Sequence, residues 1–247
     1  MPNAIGPEFM RLTQYAHLTT PSAQDQGVPQ PPLELPCPPG AELIALPAPK
    51  EIESPTIDLR AAIEQRRSLR KYAETPLTLA ELAFLLWCTQ GVKRVTERPT
   101  TFRTVPSAGA RHALETFVLA NRVVGLAPGL YRYVALNHAL VAVDLSADVA
   151  GRTVHACNDQ AMVGQAAASF VWVAVVERMR WRYCERAYRY LHLDAGHVCQ
   201  NLLLAAEAIG CGGCPIAAYD DDLLNRVVGA DGEELFAIYA ASLGKKR

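Results

Sequence analysis

The run from Ser169 to Val176 constrains this chain more than any other stretch. After Ser169 it has no polar position and it is rich in β-branched residues, the pattern of a strand covered on both faces. Such a strand demands a sheet with a packed layer on each side, so the sequence must also supply helices. Thr78-Leu79-Ala80-Glu81 is a capping box, and Leu79, Leu82, Leu85 and Leu86 share one face of a helix that Gly91 ends. The longest helix is expected from about Glu185 to Ile209, stopped by Gly210. Asp220 caps another, stopped by Gly229. Ser54 before Pro55 predicts a helix opening there and running to about Gln65. Ser146 caps a short helix, and a further one is expected near Asp159.

Leu114 to Ala120, Leu130 to Val134 and Ala139 to Val143 read as strands, the last two joined around Asn137-His138. A short strand near Pro215 to Tyr219 and a final one from Leu235 to Leu243, after an Asp231-Gly232 turn, complete the set. Helices and strands come without regular βαβ alternation. That predicts an α+β fold, with helices packed on a mixed or antiparallel sheet.

Ahead of this body the chain is dense in proline, with Pro29, Pro31, Pro32, Pro36, Pro38, Pro39, Pro47 and Pro49. Proline fixes φ and removes a donor, so the stretch is neither helix nor central strand. Residues 1–54 therefore read as an extended arm, and 55–247 as the main domain. Leu33, Leu35, Leu43, Ile44 and Leu46 give the arm something to bury, against its own body or a partner subunit. Met1 to Phe9 looks like a vector-derived segment ahead of Met10 and carries no expectation for the fold.

With 24 basic against 25 acidic residues, the charge gives no reason to expect nucleic acid or an anionic membrane as partner. The longest apolar run, Phe170 to Val176, is far short of the roughly 18–20 residues a spanning helix needs. No basic region leads into an apolar stretch at the start, so no secretory signal is expected. Seven scattered cysteines do not make a disulfide framework. A reduced, cytoplasmic protein is the expectation.

Three stretches carry candidate chemistry. In Arg66-Arg67-Ser68-Leu69-Arg70-Lys71-Tyr72, an extended backbone turns Arg66, Ser68 and Arg70 to one side. Guanidiniums around a hydroxyl suit a phosphate and a ribityl chain. On spacing alone a solvated basic loop is the simpler reading. Pro106-Ser107-Ala108-Gly109 allows close approach of a flat ring, or is an ordinary turn. Gly196-His197 to Gln200-Asn201 lies on the long helix, which leads to Pro215-Ile216-Ala217, and its small residues suggest tight packing.

Together these pieces, with Pro128-Gly129-Leu130-Tyr131-Arg132-Tyr133 and the early Tyr15-Ala16-His17-Leu18-Thr19-Thr20, resemble the nitroreductase superfamily. The nearest branch is the SagB-type, or thiazoline-oxidase-like, dehydrogenases. The resemblance spans almost the whole chain after Met10. It implies a nitroreductase-like α+β fold, an interlocked homodimer and one flavin mononucleotide (FMN) at each of two interface sites. By position, Arg66, Arg67, Ser68 and Arg70 would hold the FMN phosphate, ribityl chain and pyrimidine edge. Pro106, Ser107, Ala108 and Gly109 would approach from the other subunit. Pro215, Ile216 and Ala217 would lie against the ring, and Lys245 would add a phosphate contact. The implied activity is hydride transfer between a reduced carrier, NAD(P)H among the candidates, and a small or peptidic substrate.

Peptide azoline dehydrogenases of this branch carry a Lys-Tyr pair before the long helix, where this chain has Arg182-Tyr183. Tyr183 and Arg182 are thus the catalytic candidates. Arginine stays protonated and cannot replace lysine as a base. Oxidation of an azoline ring in a ribosomal peptide, with cyclase partners, therefore stands as an alternative, as does a flavin-binding scaffold without turnover. Ala217 replaces the glutamate found in many simple nitroreductases.

Other signals have plainer explanations. Cys211-Gly212-Gly213-Cys214 follows a helix C-terminus, the wrong end to activate a thiol. His192 and His197 are five apart and do not share a helical face, and Asp220-Asp221-Asp222 is a helix cap with an acidic first turn. His197 remains a candidate to approach a flavin. Trp172 is expected in the core and Trp181 in a pocket wall.

Overall fold

The computed structural model describes residues 4–51 and 56–247. The chain begins with α1 (Ile5–Leu12), β1 (Leu43–Ala45), α2 (Leu59–Gln65), α3 (Leu79–Gln90), β2 (Val92–Val95) and β3 (Thr101–Arg103). β4 (Leu114–Ala120), β5 (Gly129–Val134) and β6 (Ala139–Asp144) come next. α4 (Val149–Ala156), α5 (Met162–Gln165), β7 (Ala168–Val175) and α6 (Val176–Tyr183) follow. α7 (Ala187–Ala208), β8 (Cys211–Ile216), α8 (Asp221–Val228) and β9 (Leu235–Lys245) complete the chain.

Seven strands form one antiparallel sheet in the order β1-β6-β5-β4-β7-β9-β8, and β2 and β3 make a separate hairpin. The result is an α+β fold with helices on both faces of an antiparallel sheet. β7 runs through the middle of the sheet, buried at every position. Phe170, Trp172 and Ala174 point into one core, packed against α3 and α7, while Val171 and Val173 point into the other, against α4, α5 and α8. The alternation of a strand thus feeds two layers. Full burial of Phe170 or Trp172 contributes roughly 1.5–3 kcal/mol each relative to exposure.

Several boundaries differ from those expected. The Ser54-Pro55 start lies outside the described residues, and α2 opens only at Leu59, where the Asp58 carboxylate accepts from Ala61 N at 2.9 Å. The strand expected at 215–219 lies earlier, as β8, because Cys211 to Ile216 pairs residue for residue with Lys245 to Ala240 on β9. Val176, taken as the end of the apolar strand, begins α6, a helix the sequence reading lacked. α1 includes residues set aside as vector-derived. It is tied to α7 by Arg189, which donates to Thr13 Oγ1 at 2.5 Å and to the Met10 carbonyl.

The proline-rich arm lies on its own body. Trp181 O accepts from Gln24 N at 2.9 Å, and Trp181 Nε1 donates to Val28 O at 2.8 Å. Arg178 Nε donates to Pro32 O at 2.8 Å and Arg132 Nη2 to Pro36 O at 3.0 Å. β1 then adds an edge strand beside β6. Proline leaves carbonyls without local donors, and buried arginines supply them. The anchor beneath is Glu115 on β4. Its carboxylate lies 2.6 Å from Arg178 Nη2 and 3.2 Å from Arg132 Nη1, and it accepts Leu35 N at 2.9 Å.

Candidate active site

Residues 66–72 leave α2 and run beside β8. Ser68 bridges Gly213 in parallel sense, and Leu69 N donates to Gly213 O at 2.9 Å. The chain beyond Ser68, with Arg70, and the chain beyond Gly213, with Pro215, leave that bridge in the same direction. Pro215 is half-buried, Ile216 buried and Ala217 exposed. Tyr72 pins the strip: its hydroxyl lies 2.7 Å from Ser242 Oγ and donates to Leu69 O at 2.7 Å, and burial pushes its pKa up to about 12. A Cβ on Gly244 would come within 2.9 Å of the Tyr72 ring, so glycine is what lets the strip close on β9.

A pocket of about 340 Å³ opens along this strip, lined by Arg67, Lys71, Lys246, Arg247 and the carboxylate of Glu207, among others. Arg66, Ser68 and Arg70 belong to the same strip but do not line the pocket. Lys245 is turned into the body, its ammonium bound by Glu81 and by the Ile209 carbonyl at 3.1 Å. The C-terminal cations at the pocket are instead Lys246, paired with Glu207, and Arg247, whose Nε donates to Tyr72 O at 3.0 Å. Nothing in spacing separated these three neighbours.

The second cluster forms where the 106–110 turn meets the end of α6. Ser107 Oγ donates to Asp194 Oδ2 at 2.5 Å, Ala108 N donates to Asp194 Oδ1 at 3.2 Å, and His112 N donates to Ser107 Oγ at 2.9 Å. Asp194 is held from α7, and burial raises its carboxyl above the usual range while the Ser107 and Ala108 bonds oppose that shift. Sequence reading missed Asp194. Its signal was a carboxylate on the apolar face of α7, one turn from Leu191 and Val198, which are buried beside it.

Gly109 (φ 56°), Ala110 (φ 54°) and His112 (φ 44°) all take left-handed conformations, and so does Cys184 (φ 47°) just after Tyr183. Such outliers cluster at functional sites. A Cβ on Gly109 would lie 2.4 Å from the Tyr183 hydroxyl and 3.2 Å from Arg182 Cδ and Nε. The turn and the Arg182-Tyr183 pair, apart in sequence, are thus brought into contact. Gly109→Ala should cost about 2 kcal/mol from left-handed strain alone, and it must also displace Tyr183. Thermal melting and NMR of the tyrosine ring would check this; an unshifted ring and an unchanged melting temperature would refute it.

The tyrosine ring packs edge-on to Tyr190 at 4.7 Å, and Tyr190 in turn bonds Tyr15 through their hydroxyls at 2.7 Å. Trp181 is buried and joins the arm. His197 is exposed. Cys211 and Cys214 sit in opposite cores, so the C-x-x-C makes no pair, and burial pushes the Cys211 thiol to about 12. Among the described residues no group of three metal-ligating side chains occurs, and no helix is long and apolar enough to cross a membrane. No hydrogen bond among the described residues joins the 66–72 cluster to the 106–110 cluster.

This α+β scaffold with its two clusters is shared with known proteins. Residues 63–245 match the model of the nitroreductase family, and the chain belongs to that family. Within it, the chain is similar to proteins of the SagB type. It is 35% identical over 181 residues to a Methanocaldococcus jannaschii protein assigned as a nitroreductase, covering 72% of this chain and 89% of that one. It is 32% identical over 116 residues to the trifolitoxin-processing protein TfxB of Rhizobium leguminosarum bv. trifolii, covering 44% of this chain and 30% of TfxB. Among solved structures it resembles a chain of the Escherichia coli microcin synthetase McbBCD complex with truncated pro-MccB17 bound. That likeness, at TM-score 0.62 and 20% identity over 98% of this chain and 87% of the other, is one of fold.

Proposed function

We propose that this nitroreductase-family oxidoreductase depends on FMN and moves a hydride between a reduced carrier, NAD(P)H, and a small or peptidic substrate. The observation that carries the reading is the cationic strip beside β8. Arg67, Lys71 and Arg247 face one pocket, and the one carboxylate side chain among its described lining residues, Glu207, is already matched by Lys246. That donor set fits a dianionic phosphate, for which arginine forks and lysine point charges are the usual binders. Arg66, Ser68 and Arg70 would serve the ribityl chain and pyrimidine edge, with Pro215, Ile216 and Ala217 against the ring. When bound, the flavin supplies the redox chemistry, while the protein binds, orients and keeps water out.

The same reading favours a homodimer. Leu59, Ile63 and Leu193 are exposed, and a groove of about 410 Å³ between α2, α3 and α7 is lined by Leu59, Phe84, Trp87, Leu204 and Ala208. A second copy covering this face would bury it and bring its own Pro106–Gly109 turn toward the flavin. In this arrangement 55–247 is the flavin-binding domain and 1–54 an arm.

A second reading has its own support. Tyr183 packs against the Gly109 turn, and the relatives TfxB and McbC are named for the processing of trifolitoxin and of microcin B17. Azoline oxidation in a complex with partner proteins is therefore the alternative, with Arg182 in place of a basic lysine counting against it.

The test is the absorbance spectrum of the purified protein, the cofactor released on heating, and light scattering of the same sample. A yellow dimer releasing near one FMN per subunit supports the proposal. A colourless protein that refuses added FMN sinks it, and a yellow monomer sinks the dimer. Arg67→Ala and Arg70→Ala then separate the two sides of the strip. A charge-assisted bond of roughly 1.5–3 kcal/mol corresponds to a loss of FMN affinity of roughly 10- to 100-fold. Unchanged occupancy in Arg67→Ala would overturn the phosphate assignment, and unchanged occupancy in Arg70→Ala the ribityl and pyrimidine assignment.

A further inference from the structure

The corner formed by Arg182, Tyr183 and the 106–110 turn holds more positive charge than its own carboxylates balance. Arg111, buried, donates Nε to Gly109 O at 3.3 Å and Nη2 to Thr100 Oγ1 at 2.7 Å, and its guanidinium lies 5.1 Å from the Trp181 ring. Arg182 passes the same Gly109 and lies 5.6 Å over the Tyr183 ring. After burial, the charges of Arg182 and Arg98 are what depress Arg111, so the three guanidiniums share one field; the Tyr183 hydroxyl works the other way.

Among the described residues none of Arg98, Arg111 and Arg182 has a salt-bridge partner. Asp25 on the arm is near enough to feel Arg182, but its carboxylate is turned onto Ser22, bound by Oγ at 2.7 Å and by N at 3.2 Å. Glu185, three residues after Arg182, is exposed and acts on Arg180 and Cys184. Asp194 is committed to Ser107 and Ala108. The Tyr183 hydroxyl makes no hydrogen bond among the described residues. Free donors of one sign, on a corner held by left-handed backbone, are complementary to an anion.

We propose that this corner seats a planar two-oxygen anionic group of the substrate, a carboxylate, with the Arg182 guanidinium as its fork and the Tyr183 hydroxyl as a further donor. The proposal deepens the oxidoreductase reading and rests on it for the word substrate. It also gives a reason for arginine where azoline dehydrogenases carry lysine. A permanently charged fork is useless as a base and well shaped for a carboxylate. The side chain that departs from the lysine pattern thereby selects substrates that carry a carboxylate.

The experiment is a titration of the purified protein, with whatever flavin it carries, by benzoate and by benzamide. The two probes share a shape and differ in charge. Binding is read by calorimetry and by tryptophan emission, to which Trp181 beneath Arg111 contributes. Benzoate is expected to bind at least tenfold more tightly than benzamide, with a preference that weakens as salt is added. Arg182→Gln, a change at an exposed side chain, should abolish the preference without moving the melting temperature, and Arg182→Lys should restore part of it. Equal affinities, no benzoate binding, or an undiminished preference in Arg182→Gln would each overturn the proposal. So would a preference lost in Arg67→Ala and kept in Arg182→Gln, because the anion would then lie in the other cationic pocket. Absorbance of the same samples reports flavin separately. An anion preference in a protein that never takes FMN sinks the oxidoreductase reading and leaves the anion seat standing; flavin without the preference does the reverse.

Discussion

Glu115→Gln should lower stability by roughly 3–5 kcal/mol, the usual cost of breaking a buried ion pair on one side. Glu115, Arg132 and Arg178 have side chains only 3%, 5% and 4% exposed. Glutamine keeps the volume but removes the charge that lies between two guanidiniums, and Arg178 Nη1 already lacks a partner. It also presents donors to donors, and it weakens the bond from Leu35 N that holds the arm. Glu34, on the arm, is not an adequate substitute. Its carboxylate already accepts from Ala135 N and from Leu136 N, and burial and then the charge of Glu115 raise its carboxyl above the usual range. For a chain of this size such a loss should lower the melting temperature by roughly 6–20 °C. Hydrogen exchange should report the arm opening at residues 30–36 first. A melting temperature within 2 °C of the parent, taken as about the shift for the smallest loss worth resolving, would refute the account.

Acidification should weaken the fold between pH 6.5 and about 3 through His112. Burial first, then the charge of Arg103 and, after an opposing bond that the imidazole donates to the Thr101 backbone, that of Arg111, hold this imidazole's pKa down at about 3. The native state therefore refuses a proton that the unfolded chain accepts below about 6.5. The contribution is fully present above that value and is lost as pH falls toward the native pKa. Between pH 6 and 5, before most carboxylates titrate, the loss approaches about 1.4 kcal/mol per pH unit, and His138, also lowered by burial, adds a share. His112→Asn should flatten that slope in urea melts taken across the range. An unaltered slope would show that some other group carries it. Because His112 N also holds Ser107 Oγ, the same acid range should loosen the 106–110 turn.

Parts of this molecule were legible from residues alone. The Thr78–Glu81 capping box is present with both reciprocal bonds, and α3 ends at Gln90 before Gly91. Asp220 caps α8 through Leu223 N at 2.9 Å, and Gly229 closes it in the left-handed region. These signals were readable because each acts within one helical turn. α6 was not readable, because Val176 continues an apolar run and the following Glu-Arg-Met-Arg has no capping residue in front of it. β8 was misplaced because two glycines and a proline carry little strand signal, and only pairing with β9 defines it.

The candidate site divides in the same way. Arg66 to Arg70, Ser107 and Tyr183 could be picked out by resemblance, since motif order survives in the chain itself. Which of Lys245, Lys246 and Arg247 reaches the cationic pocket could not, because it depends on Glu81 and Glu207, far back in sequence. Sequence by itself determined the local elements, the two-faced central strand and the membership of the family. Tertiary structure alone decided that Asp194 holds Ser107 across 87 residues and that Glu115 gathers two arginines. It also decided that a proline-rich arm lies on its own body. The reason is physical: local backbone preference is set by neighbours within a turn or two. The pairing of a buried charge is set by whatever the fold brings beside it, which no spacing along the chain encodes.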